Sequence, residues 1–438
     1  MTDTSSILRL ASFNTDVTPP MGVPLCHGNV KPMTDIVDRL SARGIILIGA
    51  GEPIVICVYD WLGISNAAHD ACRLALAKAV GTSLDRVTVH VGHPHDAPGV
   101  DLSTQELLEP AGLGNYMFDV PSTLAAFAAV ADAAADAMNR PVEVTHMGVG
   151  QSVVEKVASN RRVMGADGKV AVVRLSACHD AAGTAAPEGM IDPILRLLSF
   201  WNGDTPLAAM THYATHPQSY YGQGGVSYDF PGMARDAREK ELPGVALMHF
   251  NGCAGNVAAG KYNDGSVENR PVLAERMEAG MKTAWDNQQK TPVTTADVDW
   301  QVYPVAMPVR DTITEETKTA RLADKALTDF DRVFAARDLA FLRRMRSGYR
   351  IPINCLKVGN ARIIYLPAEM FVEYQLAAAK LRPDAFVCVA AYGDLGPGYV
   401  GTTVAYSEGG YETGFVSRVA PEVEPVLMQA MTELLQRD

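Results

Sequence analysis

The 438-residue sequence lacks the cysteine pattern of a disulfide framework or of a thiolate zinc site. Its seven cysteines, an odd number, include no CxxC pair, so they are predicted to be small buried side chains. The sequence also lacks an excess of basic residues. Its net charge of −12 argues against nucleic acid or an anionic membrane as a partner. A small-molecule substrate is the partner that we expect.

The patterns of a secretion signal and of a membrane span are missing as well. Residues 1–6 contain neither the basic nor the apolar region of a signal peptide. The most apolar stretch, 44–64, is interrupted by Gly49, Gly51 and Pro53, which predict a two-stranded hairpin. These absences predict a cytoplasmic protein without membrane insertion.

No internal repeat, low-complexity tract or Gly/Ser linker divides the sequence. We therefore predict a single catalytic domain over 1–438, with 1–290 and 291–438 as candidate sub-lobes. A charged helical segment near 312–350 is predicted either to cover the site or to form a contact in a homo-oligomer.

The pattern of apolar residues predicts an α/β fold with mixed β-sheets flanked by helices. Helices are predicted at 65–80 and 122–138. Strands are predicted at 87–91, 207–212, 245–250, 361–366 and 385–390. Since each of these strands runs into a polar or Gly-rich loop, we predict an active site at the C-terminal ends of the strands.

Two histidines, His93 and His95, directly follow the strand at 87–91. In an H-x-H pair both rings can bind one metal, or one can bind while the other transfers protons. His216 follows a second strand and is a candidate ligand. Glu369 follows a third, where an unpaired buried carboxylate would be costly without a metal or a cation. A backbone nest around Asn256 is predicted to bind an oxyanion.

Seven motifs occur in the order seen in neutral/alkaline ceramidases. They are DVTPPMGVP at 16–24, HPHDAPG at 93–99, NRR at 160–162, YATHP at 213–217, DFPG at 229–232, GCAGN at 252–256 and PAE at 367–369. Over nearly its whole length the sequence resembles this family. The resemblance implies a zinc amidohydrolase domain in which zinc is held by His93, His216, Glu369 and Tyr399. It also implies that His95 and Arg161 contact the substrate and that Tyr411 is an oxyanion or leaving-group partner.

The sequence departs from the family pattern at several places. Ala258 stands where the family has a serine, and HPHD replaces the HTHS pattern. We expect no counterpart of the family's C-terminal β-domain. These departures favour a small polar amide or ester over ceramide as the substrate.

The predicted function is a zinc-dependent hydrolase with metal-activated water as the nucleophile. His95 would transfer the proton with Asp96 as its orienting partner, and Asn256 and Lys261 would contact the substrate. Two alternatives stay open. One is a zinc-dependent lyase or isomerase acting on a polar carbonyl or sugar-like substrate, and the other is a non-catalytic zinc-binding protein.

Overall fold

The computed structural model describes residues 7–437, which form 24 strands and eleven α-helices. The strands are β1 Arg9–Asp16, β2 Asp35–Ile36, β3 Ser41–Gly49, β4 Gly51–Tyr59, β5 Gly63–Ser65, β6 Val87–Val91, β7 Gly99–Asp101, β8 Val142–Glu143, β9 His146–Val153, β10 Ser159–Asn160, β11 Arg162–Met164, β12 Val170–Val173, β13 Ile194–Asn202, β14 Thr205–Tyr213, β15 Gly225–Val226, β16 Ala246–Asn251, β17 Val257–Ala258, β18 Gln289–Pro292, β19 Val298–Val305, β20 Ile351–Val358, β21 Ala361–Tyr365, β22 Glu369–Met370, β23 Phe386–Ala390 and β24 Tyr399–Val400. The helices are α1 Ala67–Val80, α2 Leu102–Leu108, α3 Val120–Ala137, α4 Ala181–Ala185, α5 Asp229–Glu241, α6 Asn269–Asp286, α7 Glu315–Ala323, α8 Asp329–Arg346, α9 Val372–Leu381, α10 Thr403–Glu408 and α11 Val423–Gln436.

Three sheets of similar strand order form the scaffold: β6-β4-β3-β1-β8, β16-β14-β13-β9-β18 and β23-β21-β20-β19. Each contains one topological unit, in which three antiparallel strands are followed by a helix and a fourth strand parallel to the third. The units are β1-β3-β4-α1-β6, β9-β13-β14-α5-β16 and β19-β20-β21-α9-β23. The sequence shows no repeat, yet the structure has one, because shared topology does not require shared residues.

The first unit illustrates why these residues fold this way. Gly49 and Gly51, with φ of +117° and +79°, close the β3–β4 hairpin. A helix must then cross over before a parallel strand can pair, and α1 does so before ending at Gly81, whose φ is +73°. The predicted hairpin, helix and strand in this region are confirmed.

A central core joins the three sheets. Alternate residues of β4 point to opposite faces, so Ile54, Ile56 and Val58 enter a cluster that also holds side chains of β14, β16, β21 and β23. Val55 and Cys57 belong to the cluster that includes α1. The predicted fold class, mixed sheets flanked by helices, is confirmed.

Within each unit the first strand runs parallel to the third and fourth, because two successive pairings are antiparallel. The connection that follows the first strand therefore begins at the same end of the sheet as the loops after the third and fourth strands. These connections are long, spanning 17–40, 154–193 and 306–350. Helices α7 and α8 lie in the third, in the segment predicted to be helical.

The division of the chain into one domain with sub-lobes at 1–290 and 291–438 stays a prediction. The third unit begins with β19 at Val298. Between residues 7 and 437, no helix combines the length and the apolar character that crossing a bilayer requires.

Candidate metal centre

The candidate site lies where the third and fourth strands of all three units end. After five of these six strands, the residue that supplies a side chain or a backbone carbonyl to the site comes within four residues of the strand's end. After the sixth, β23, that residue is Tyr399, nine residues beyond the end. The groups are the Leu62 carbonyl after β4, His93 after β6, His216 after β14, the Ala254 carbonyl after β16, Glu369 after β21 and Tyr399 after β23.

Four donor atoms converge there. Glu369 Oε2 is 3.4 Å from His93 Nε2 and 3.1 Å from His216 Nε2, and the Tyr399 hydroxyl is 3.2 Å from His216 Nε2. Two ligands at about 2.0–2.1 Å from one tetrahedral ion lie roughly 3.3 Å apart. The observed separations match that spacing, so these residues fit a metal ion.

Both imidazoles are oriented from behind by backbone carbonyls. The Nδ1–H of His93 donates to the Leu62 carbonyl at 2.6 Å, and that of His216 donates to the Ala254 carbonyl at 2.7 Å. These bonds fix the tautomer in which each Nε2 carries a free lone pair. Hydrogen-bonding the distal nitrogen is the usual support of metal-binding histidines.

His95 belongs to the same cluster. Its ring lies 4.9 Å from that of His93 and 5.8 Å from that of His216. Ring nitrogens of the three histidines lie within 4.8 Å of one another and could hold a metal ion. The buried Nδ1 of His95 has no hydrogen-bond partner in the described part of the chain. Two donor sets therefore overlap: the three histidines, or His93 and His216 with Glu369 and Tyr399.

Burial and charge shift the pKa values of the cluster. Burial opposes ionisation of Glu369, but His93 and His216 outweigh it and hold the pKa of this carboxyl well below its usual range. Burial lowers the pKa of His216 to about 4 and holds that of His95 well below 6.5. Burial, and then the charge of Glu369, raises the pKa of Tyr399 above its ordinary value.

Left-handed backbone occurs at three non-glycine residues of the site. His93, Ala368 and Tyr392 have φ of +69°, +65° and +62°, a conformation that costs of order 1–3 kcal/mol each. Tyr392 packs on the His93 ring at 4.7 Å, and its hydroxyl is 3.4 Å from His216 Nδ1. The sequence analysis missed Tyr392. The available signal was its position, two residues beyond β23 as His93 is two beyond β6.

Arg161 lies behind Tyr399 instead of lining the cavity. Its Nη1 donates to the Tyr399 hydroxyl at 3.2 Å and to the Gly255 carbonyl at 3.3 Å, while its Nε lies 3.3 Å from Glu412 Oε1. Arg161 and Glu412 are almost completely buried. Arg161 therefore contacts Tyr399, and its implied contact with the substrate stays a prediction.

A cavity of about 100 Å³ opens at the donor atoms. Tyr411 lines it, with its ring edge-on to that of Tyr399 at 5.7 Å. Burial and the Glu369 charge raise the pKa of Tyr411 to about 12. Phe334 and Arg337 of α8 also line the cavity, so the predicted helical segment covers the site. Further lining residues are Cys26, His27, Asn29, Leu62, His93, His95, Glu369, Leu395, Gly398, Tyr399, Val416 and Arg418.

Three predicted site residues are engaged elsewhere. Asp96 accepts from Gly222 N–H at 2.7 Å and pairs with Arg270 at 3.7 Å. It makes no hydrogen bond to His95, and the orienting role stays a prediction. The carboxylate instead satisfies the backbone of the neighbouring loop.

Asn256 and Lys261 also lie outside the cavity. The Asn256 amide donates to Glu373 and its oxygen accepts from Val372 N–H, at 2.9 and 2.8 Å. Lys261 Nζ donates to the carbonyls of Thr184 and Ala186, both at 2.6 Å. Their polar atoms satisfy local structure, and the substrate contacts of both residues stay predictions.

Comparison with known proteins gives a likeness in structure. No protein-family model matches the sequence, and no curated protein matches it significantly. A ceramidase complexed with C2 superposes with a TM-score of 0.73 at 16% identity, covering 98% of this chain and 75% of the ceramidase chain. The chain has the neutral-ceramidase fold. The neutral ceramidase from Pseudomonas aeruginosa gives a TM-score of 0.71, also at 16% identity, with 98% and 74% covered.

The resemblance predicted from the seven motifs is thereby confirmed at the level of the fold. A shared fold does not by itself establish the reaction, which depends on the residues of the site.

Proposed function

We propose that the protein is a zinc-dependent hydrolase that cleaves an amide or ester bond in a small polar substrate. The observation that carries this proposal is the convergence of Glu369 Oε2 with His93 Nε2 and His216 Nε2, at 3.4 and 3.1 Å, beside a cavity. The ceramidase fold supports hydrolysis as the reaction class.

The donor set supports zinc as the metal. Two imidazoles, a carboxylate and the Tyr399 phenol oxygen are nitrogen and oxygen donors of the kind that zinc accepts in catalytic sites. When bound, zinc supplies a Lewis acid and lowers the pKa of water toward about 7. His93, His216 and Glu369 would hold the ion, and the phenol oxygen of Tyr399 would be the fourth ligand.

His95 is assigned the proton transfer. It lines the cavity next to His93, and its Nδ1 is free of protein partners in the described chain. In this role it accepts a proton from the attacking water and returns it to the leaving amine or alcohol. Such general acid–base assistance is worth about 100- to 10,000-fold in rate.

Tyr411 is assigned to the developing oxyanion. Its hydroxyl is protonated at neutral pH, as the ordinary phenol pKa of about 10 already requires, and its side chain lines the cavity. A fixed donor aimed at the new negative charge is the usual form of transition-state stabilisation in acyl transfer. Arg161 is a positioning residue, since its Nη1 fixes the Tyr399 hydroxyl.

The size of the cavity supports a small substrate. Its volume of about 100 Å³ is below the 300–1,000 Å³ of sites that take drug-sized ligands. Burying a long acyl chain would need a larger cavity. Cleavage of a small polar amide or ester fits the space.

No observation favours the alternative of a lyase or isomerase. That alternative depended on Ala258 and on the segment around Lys261. Ala258 is buried within β17, and Lys261 binds backbone carbonyls away from the cavity. Turnover in oxygen-18 water decides between the classes. Hydrolysis places one labelled oxygen in the acid product, whereas an unlabelled product would refute the proposal.

The variant His95→Ala distinguishes an enzyme from a non-catalytic zinc-binding protein. An enzyme loses turnover while its zinc content stays the same. If wild-type protein holds zinc but cleaves no member of a panel of small amides and esters, the hydrolase assignment fails.

A further inference from the structure

A guanidinium without a protein partner faces the candidate site. Arg337, on α8, lines the cavity together with His93, Glu369 and Tyr411. In the described part of the chain it makes no hydrogen bond, and no carboxylate oxygen lies within the 4.0 Å of an ion pair. Its guanidinium carbon is 5.4 Å from the ring of Phe334, one turn earlier on the helix.

The other arginines near the site are compensated. Arg161 lies 3.3 Å from Glu412, and Arg418 Nε lies 3.2 Å from Asp338. The carboxylate of Asp101 is occupied by Thr104 and Asn66, with bonds of 2.6–3.1 Å. Arg337 therefore carries the uncompensated positive charge of this cavity.

A second arginine of the cavity has a polar atom without a partner. Arg418 is 2% exposed, and its Nη2 makes no hydrogen bond within the described residues. Leaving a buried polar atom unpaired costs about 1–3 kcal/mol. The unpaired Nη2 of Arg418 together with the unpaired guanidinium of Arg337 is the chemistry of a binding site for oxygen atoms.

We propose that Arg337 binds a carboxylate of the substrate, with Arg418 completing the anion site. This inference rests on the proposed function, since it specifies the substrate class: a small amide or ester that carries a free carboxylate. The planar guanidinium can hold both carboxylate oxygens in a bidentate pair. In a cavity of about 100 Å³, the carboxylate lies only a few bonds from the scissile carbonyl, as in an N-acetylated amino acid.

Charge favours a carboxylate over a phosphate. One uncompensated guanidinium matches one negative charge. A phosphate dianion would bring a second negative charge, and the cavity has no second arginine that lacks a carboxylate partner among the described residues. Desolvating an unbalanced charge is costly.

The test compares two non-hydrolysable probes on the full-length, metal-loaded chain. Levulinate has the shape of N-acetylglycine with a methylene in place of the amide nitrogen, and 5-hydroxy-2-pentanone carries a neutral hydroxymethyl group in place of the carboxylate. Calorimetry should show levulinate binding about 10- to 100-fold more tightly, the range expected for charged hydrogen bonds. Arg337→Met should remove the difference, and Arg337→Lys should keep part of it.

The matched control is Arg343→Met on the same helix. Arg343 is about half exposed and pairs with Glu315, so its loss should leave the preference for levulinate unchanged. Metal content measured on every variant shows that the site is intact. Equal binding of the two probes to wild type, or a preference that survives Arg337→Met, overturns the proposal. Tighter binding of 3-oxobutylphosphonate than of levulinate overturns it in favour of a phosphate.

Different results would overturn the hydrolase assignment and the anion site. If levulinate binds through Arg337 but N-acetylglycine and small esters are not cleaved, the hydrolase assignment fails and the anion site stands. If a neutral amide or ester is cleaved and the levulinate preference is absent, the anion site fails and the hydrolase stands.

Discussion

The molecule contains two groups of buried histidines, one inside strands and one just beyond strand ends, and the two groups have different surroundings. His90, His212 and His249 lie inside β6, β14 and β16, whereas His93, His95 and His216 follow the ends of β6 and β14. Within the core, His90 bonds to Thr88 and the Ala391 carbonyl, His249 bonds to Thr211, and His212 stacks on Phe250. Burial lowers the pKa of each to about 3.

The difference lies in what surrounds the rings and not in their burial. At the strand ends, carbonyls orient His93 and His216 so that each Nε2 faces Glu369 Oε2. No carboxylate reaches the histidines inside the strands within hydrogen-bond distance among residues 7–437. Burial alone makes a neutral core histidine, and a shared carboxylate makes a candidate metal ligand.

Removing the carboxylate of Glu369 is expected to have the largest effect on metal binding and activity. Glu369→Gln keeps the shape of the side chain but gives up the charged donor. We expect zinc content to fall below about 0.2 per chain and turnover to fall by at least about 1,000-fold, because several kcal/mol of charge stabilisation are lost. Metal analysis and steady-state rates measure both.

Glu373→Gln is the matched control for that variant. Glu373, like Glu369, is only partly exposed, but it accepts a hydrogen bond from the Asn256 amide at 2.9 Å, and a glutamine oxygen can accept the same bond. It should retain zinc and activity. Full zinc content in Glu369→Gln would contradict the assignment of Glu369 as a ligand.

Replacing His95 separates the two overlapping donor sets. His95→Ala should lower kcat by about 100- to 10,000-fold while leaving one zinc per chain. Loss of zinc together with activity would instead identify His95 as a ligand of the three-histidine set. His146→Ala, on β9 and outside the cavity, is the control.

Arg161→Met tests the support behind Tyr399. We expect kcat to fall by about 10- to 100-fold, as for other groups that orient metal ligands. Stability should fall by about 3 kcal/mol, because Glu412, which is 0% exposed, loses a partner. In the double variant with Glu412→Gln, urea unfolding should recover most of the stability. If activity recovers as well, Arg161 has no positioning role.

The smallest effect is expected for a histidine inside a strand, His212, whose replacement should change how stability depends on pH. The pKa of His212 is about 3 in the folded protein against an ordinary 6.5, so the unfolded chain binds the proton first. The stability from a neutral His212 is complete above pH 6.5 and is lost as the pH falls toward 3. His212→Phe should reduce that loss by about 1.4 kcal/mol per pH unit.

Urea unfolding at pH 7.0, 5.5 and 4.5 measures this slope. Phe250→Leu alters the same packing without a titratable group, so it should shift stability equally at each pH. An unchanged slope in His212→Phe would show that this histidine is not a neutral core residue.

The local parts of the fold could be predicted from the sequence. The predicted strands at 87–91 and 361–366 and the predicted helix at 65–80 are confirmed, because period-2 patterns and turn residues act over a few positions. The three-unit scaffold could not, since its sheets depend on pairings between residues far apart in the sequence.

The residues of the site also divide into those that could be located from the sequence and those that could not. His93, His216 and Glu369 could be located because each follows an apolar strand. Glu412 and Arg337 carry no local signal, and Tyr392 carries only its place after a strand. Their positions depend on left-handed backbone, on a partner about 250 residues away, or on a long connection whose path the sequence does not reveal. The side chains of Asp96, Asn256 and Lys261 bind local structure outside the cavity for a related reason: polar residues beside a site often satisfy the backbone.

The central claim, a metal-dependent hydrolase centred on His93, His216 and Glu369, is tested most directly by titrating zinc into chelator-treated protein. Bound metal and turnover of small amides and esters are followed together. We predict that activity rises in proportion to bound zinc and reaches its maximum at one ion per chain. Full activity with less than about 0.2 zinc per chain would contradict the account.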